Sequence, residues 1–395
     1  MKAKRCPLSF PAAFCFGLFS TVSLLCAQTW TPTTAPSNRW WSVASSADGS
    51  KLVAVSSQRI YTSTNFGTTW QSNAAPMYQW QSVASSADGN RLVAVSWKGG
   101  PVCISTNSGA TWSQTAAPNN YWSSVASSTD GIRLIATSAD AGDDRIYFST
   151  NGGATWTINT APSKYWFSVA SSADGIKQTA TSRGLIFTST NSGATWMQSV
   201  TSSNSNWTPG DSTAMSADGR KQIAIAGGGG GILLSTNSGA TWSLTGLSSN
   251  PSWSSVASSA DGVKLIAVAE SGQIYTSTNS GAAWVLNNAP SLQWRSAACS
   301  ADGSRFVAVS ASNSSGEIWT ALTTSPPALK LTTSPSGPFK LSWTVPSTTC
   351  MVQQSSDFLN WTNVTNQPVC DLTTLQNEVI LPATGSNGFY RLKAQ

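Results

Sequence analysis

The chain contains no histidine. That absence excludes a Ser-His-Asp triad, a Cys-His pair and any His-ligated metal centre. Charge is also scarce: 10% of residues are Asp, Glu, Lys or Arg, against roughly 25% in an average soluble domain. No helical 3.6 period appears, and there is no GxxxxGKS/T or GxGxxG fingerprint for a phosphate. After residue 27 no apolar run approaches the length of a membrane span. What the chain has instead is Ser, Thr, Gly and Asn, with 19 Trp. That many Trp argue against disorder.

Residues 1–27 read as a secretory signal. Lys2, Lys4 and Arg5 form a basic start, Phe10 to Cys26 is mostly apolar, and Ala27 is a plausible cleavage position. The mature chain is therefore expected to be soluble and secreted, periplasmic or on the cell surface. Removing the signal takes three basic residues, so the formal charge of +6 becomes 19 − 16 = +3. With no Lys/Arg stripe, no nucleic-acid partner is expected. Four cysteines remain. Cys350 and Cys370 are a disulfide candidate in an exported chain. Cys103 and Cys299 read as small buried hydrophobes.

Two phrases recur. SVASSADG and its variants occur seven times, with Asp at 48, 88, 130, 174, 218, 261 and 302. STNSGATW and its variants start at 63, 105, 149, 189, 235 and 277, six times. A repeat of 40–44 residues points to four-stranded propeller blades. Within a unit, WWSVASS reads as a light inner strand and ADGS as an Asp-Gly hairpin turn. KLVAVSS and QRIYTST follow as the second and third strands. The box then turns into a short outer strand that begins TW. The seventh unit ends at 317–324 without a box, whereas TWTPTTAP at 29–36 repeats the TW-plus-AP pattern that follows every box. The N-terminal strand is therefore predicted to complete the last blade. The expected class is all-β: residues 28–324 form a seven-bladed propeller, 325–336 a linker and 337–395 a small C-terminal β-sandwich.

S-T-N-x-G-x-T-W resembles the Asp-box (BNR) repeat of sialidase-like propellers, with Asn65, Asn107, Asn151, Asn191, Asn237 and Asn279 in place of the family's Asp. The resemblance covers 28–324. It implies turns between third and fourth strands, away from the functional mouth. Either side chain accepts backbone N–H groups and holds a tight turn. Seven blades with repeated WxSVASS units also resemble the photosystem II assembly-factor type of propeller.

A ligand is expected on the opposite face, at the loops leading into the inner strand and between second and third strands. Trp40, Trp80, Trp122, Trp166, Trp253 and Trp294 lead the inner strands. They either stack on a ligand or wedge between blades. In the fifth unit Trp207 stands three residues too early. Positions that differ between blades are the better candidates: Trp41, Phe167 and Arg295 just after the leading Trp, and Trp97, Lys98, Arg183 and Glu270 in the loops. Asp140, Asp143 and Asp144 also belong to this group, but their spacing does not match a calcium loop. Glycoside hydrolysis needs two carboxylates at a set separation, and a sialidase also needs an arginine triad. The scattered arginines do not assemble into one by sequence. The expected function is non-catalytic binding of an extracellular or envelope glycan or protein, as a monomer without cofactor or metal. The alternatives are an extracellular glycoside hydrolase and an assembly factor docking a protein partner.

Overall fold

A computed structural model describes residues 28–139, 144–183, 185–199, 212–226, 231–247, 251–312 and 315–323, and seven strand segments beyond residue 329. Seven four-stranded antiparallel sheets follow one another, and no helix occurs among the described residues. Blades 1 to 6 occupy residues 40–72, 80–114, 122–158, 166–199, 213–244 and 253–286. Blade 7 runs Trp294–Cys299, Arg305–Ser310 and Ile318–Leu322. Its fourth strand is Trp30–Pro32 from the N-terminus, paired Trp30 to Ala321 and Pro32 to Trp319. The predicted clasp is therefore present, and counting the two phrases against each other located it.

Second strands such as Leu52–Ser56 are buried at every position, because each sheet is covered on both faces by neighbouring blades. Burying a Val or Leu stabilises by about 1.5–3 kcal/mol, and this strand supplies most of the aliphatic core. Blade sheets pack on each other through clusters drawn from adjacent blades. Trp80, for example, packs on Val53, Val55 and Ile60 of blade 1.

Two phrase positions join blades directly. The first Ser of SVASSADG accepts a bond across the inner ring: Val83 N–H donates to Ser42 Oγ, Val125 to Ser82 and Val169 to Ser124. The series closes where Val43 N–H donates to Ser296 Oγ. Five residues after that Ser, a circle of backbone bonds closes as well. Ala47 donates to Ala87, Ala87 to Thr129, Thr129 to Ala173 and Ala173 to Ala217. Ala217 then donates to Ala260, Ala260 to Ala301, and Ala301 back to Ala47, all at 2.7–2.9 Å.

The Asp-Gly turn is wider than a two-residue hairpin. Ser46 N–H bonds Lys51 O, and of the turn residues only Gly49 takes a positive φ, 72°. Ser46 Oγ donates to Asp48, which accepts a second bond from Ser50 N–H. In the box, Gly67 N–H donates to Ser63 Oγ and Thr69 N–H to Asn65 Oδ1, both at 2.9 Å. Asn65 Nδ2 adds a bond to Thr69 Oγ1. Blade 6 has Ala283 at the equivalent position and keeps only the backbone bond to Asn279 Oδ1. The residue before the box Gly is also left-handed: Phe66, Ser108, Ser192, Ser238 and Ser280 have φ of 57–61°. The two phrases keep step because they touch. Phe66 N–H bonds Ser50 O, and Ser108 N–H bonds Asn90 O.

Beyond residue 329 the strands form a four-stranded and a three-stranded sheet. One strand, Lys330–Thr332, lies inside the segment expected as linker and pairs with Phe339–Thr344. It reads as linker in sequence because Ser and Pro surround its three residues. Cys350 opens a strand of the three-stranded sheet and Cys370 lies in the four-stranded one. Their side chains, and so the expected disulfide, lie outside the described residues, as does the packing that would make the two sheets a sandwich.

Candidate functional site

The blade loops separate onto two faces. The box turns and Asp-Gly turns share the lower face. On the upper face, the residue before each inner strand meets the loop between second and third strands: Trp97 N–H bonds Gln79 O, Ala139 bonds Tyr121 and Glu270 bonds Ser252. This is the arrangement expected from the strand order.

The leading tryptophans do not present a stacking surface. Trp40, Trp80, Trp122, Trp166 and Trp294 are 0–1% exposed and Trp253 is 6% exposed. Their faces are taken by core residues, such as Tyr61 edge-on to Trp40 at 5.1 Å. Recurrence in six of the seven blades favours a wedge, and burial decides for it. Trp207 lies outside the described residues.

The next residue behaves differently. In six blades the pairing of first and second strands slips by one after the Trp, as between Trp40–Ser56 and Ser42–Val55. Trp41, Gln81, Ser123, Phe167, Ser254 and Arg295 are therefore the extra residues of β-bulges. A bulge unpairs its residue and re-aims the side chain. These six half-buried positions surround the upper mouth of the channel. The bulge has no sequence signature of its own here, but variability at a fixed place beside an invariant Trp marks it.

Three clusters result. At blades 6, 7 and 1, Arg295 is ion-paired with Glu270 and lies 5.5 Å from the Trp41 ring centre, while Arg39 lies 4.6 Å from the same ring. At blades 2 and 3, Trp97 meets Tyr121 edge to face at 5.5 Å, with Lys98 exposed beside them. At blade 4, Phe167 packs on Tyr165 at 5.2 Å and Arg183 lies 5.1 Å from that ring. The structure thus brings Trp41, Glu270 and Arg295 together, and keeps Trp97 with Lys98 and Phe167 with Arg183. Arg39, Tyr121 and Tyr165 were not singled out by sequence. All three immediately precede the leading Trp, a second position where the blades disagree. Asp140 and Asp143 lie outside the described residues. Among the described residues no group of three His, Cys, Asp or Glu converges to hold a metal.

The lower face carries a charge pattern of its own. Two residues after each turn Gly stands a cation: Lys51, Arg91, Arg133, Lys177, Lys221, Lys264 and Arg305. Each stem crosses to the next blade and covers its turn Gly. A Cβ on Gly89 would meet Lys51 Cδ at 2.7 Å, and one on Gly49 would meet Arg305 Cδ at 2.7 Å. These seven cations alternate with seven turn carboxylates around the ring, and Arg220 adds one further positive charge beside Asp218. Burial alone would raise the Asp48 carboxyl. Hydrogen bonds from Ser46 and Ser50 outweigh it and hold the group below its ordinary value. Asp88 and Asp218 are lowered in the same way, helped by Lys51 and Lys177.

A carboxyl lowered on folding stabilises the fold above its unfolded value, about 3.9, and that stability is lost as pH falls through the folded value. With no histidine to titrate, Tm is expected to be flat from about pH 5 to 8 and to drop below about pH 4. A scan by differential scanning calorimetry checks this, and a fall beginning near neutrality would contradict it. The two described thiols are protonated throughout that range. Burial pushes Cys103 up to about 12, and burial together with Asp302 raises Cys299 well above the ordinary thiol value.

Fold and faces together define a seven-bladed β-propeller with an irregular upper mouth on a regular ring. No protein-family profile matches the chain, and no curated protein matches it. Among solved structures, YCF48 bound to D1 peptide superposes with a TM-score of 0.57 at 16% identity, covering 76% of this chain and 98% of that one. YCF48 from Cyanidioschyzon merolae superposes with a TM-score of 0.58 at 15% identity, covering 75% and 98%. At these identities the likeness is one of fold.

Proposed function

We propose that this chain is a non-catalytic protein-binding propeller that takes a peptide segment of a partner at the upper mouth. The observation that carries the reading is the bulge. It places Trp41, Phe167 and Arg295 at the channel mouth, where aromatic faces and guanidinium groups gather. Aromatic residues and Arg are the types that dominate protein-binding hot spots. The assembly-factor alternative is therefore favoured over a lectin, because the tryptophan array on which sugar stacking would rest is buried. The propeller of the same fold that was solved with a D1 peptide supports the same direction.

Phage-displayed random peptides panned on the purified protein are the test. Peptides are expected that bind the unaltered chain and are lost, by about tenfold or more in affinity, in Trp41→Ala with Arg295→Ala. Failure to enrich any peptide, alongside clear hits on a glycan array, would overturn the reading. Export through residues 1–27 is part of the same proposal. N-terminal sequencing of the mature protein should begin at Gln28, and an intact Met1 in protein from the native host would remove it.

A further inference from the structure

Resting on the protein-binding reading, we propose that the Trp97–Tyr121 corner, with Lys98 above it, is a subsite for a proline-rich extended segment carrying an acidic residue. Three observations converge on this corner. The first is shape. The two rings meet at 85° with centres 5.5 Å apart, and Tyr121 is 37% exposed. Perpendicular rings form a notch with one flat wall and one edge, which accepts a compact apolar ring.

The second is the backbone. Trp97 N–H is bonded to Gln79 O, Asn120 N–H to Gly100 O, Tyr121 N–H to Asn120 Oδ1 and Ala139 N–H to Tyr121 O. These four donors are engaged, so the corner offers no ladder edge for an added β-strand. A polyproline II segment needs no such ladder and docks on aromatic walls through its ring faces.

The third is strain. Among the described non-glycine residues, six take a positive φ, and five of them stand in the lower-face boxes. The sixth is Lys98, at 58°. It is exposed at a loop tip, followed by Gly99 at φ 72° with open space around it. A left-handed backbone is strained for any residue with a Cβ, and glycine would avoid that strain. Folding gives no reason for lysine here, since no hydrogen bond or acidic partner holds its ammonium among the described residues. Conformations of this kind gather at ligand sites. Lys98, exposed and next to Trp97 in the chain, supplies a free positive charge that would select an acidic residue next to the proline.

The experiment uses the full mature chain and fluorescein-labelled short repeats of Pro-Pro-Asp, Pro-Pro-Lys and Gly-Ser-Asp, read by fluorescence polarisation. The Pro-Pro-Asp peptide is expected to bind most tightly. Trp97→Ala should weaken it by about tenfold and Lys98→Gly by about threefold. The same Lys98→Gly variant is expected to melt about 1–2 °C higher, because the strain is gone. Ser238→Gly is the control: it relieves the same strain on the lower face and should leave affinity unchanged. Equal affinity for the three peptides, no binding of any of them, or Lys98→Gly binding as well as the unaltered chain overturns the proposal. Panned peptides that depend on Trp41 and Arg295 but lack proline would leave the protein-binding reading standing and remove this one.

Discussion

Deleting residues 28–37 lowers the melting temperature by roughly 10 °C or more. The segment contributes more than one strand of hydrogen bonds. Trp30 is 5% exposed and packs between blades 6 and 7 with Ile266, Val268, Ile274 and Phe306, 6.4 Å from Trp294. Trp30→Ala alone should cost about 3–5 kcal/mol, as for other buried Trp truncations. Deletion also bares the edge of Ile318–Leu322 and removes the bond from Thr33 N–H to Ile318 O. An uncovered strand edge invites pairing between molecules, so the truncated chain should aggregate on heating. Thermal scans with light scattering check both effects. An unchanged midpoint would show that the ring holds without its clasp.

Gly175→Ala is the second large effect expected, about 2–5 kcal/mol. Gly175 has φ 72°, and an added Cβ would lie 2.6 Å from Arg133 Cδ and 2.7 Å from Arg133 Cβ of the preceding blade. The left-handed backbone accounts for about 1–2 kcal/mol and displacement of the packed stem for about 1–3 kcal/mol. Gly99→Ala separates the two contributions, because φ there is also 72° but nothing lies within 4 Å. Arg133→Ala placed in the Gly175→Ala background should recover part of the loss, a coupling read from a double-mutant cycle of chemical denaturation curves. Strict additivity would show that the stem does not bear on the turn.

The fold was legible because repetition exposes it. Seven phrases of one kind and six of another locate the missing strand and the closure from the residues alone. The box residues were legible too, since Ser, Asn and Gly satisfy one another within a single turn. Contacts between blades were not. That Lys51 covers Gly89, or that Ser42 receives Val83, pairs residues about 40 apart, and only the rotation from blade to blade brings them together. The site was legible by half. Trp41, Arg295 and Glu270 stood out as irregularities, but nothing local showed that they meet. The leading tryptophans stood open between stacking and wedging until burial decided.

The circle of seven backbone bonds at the lower end of the channel, beside a cavity of about 180 Å³, has an electrical consequence. In a helix the peptide dipoles align and leave partial charges at the two ends. Here seven N–H···O=C bonds follow one another around a circle, each residue donating to the next blade and accepting from the one before. The cycle has no terminal donor or acceptor, and the dipole components lying in the plane of the ring cancel by its near-sevenfold symmetry. The ring therefore lacks the partly charged end that a helix terminus offers an ion.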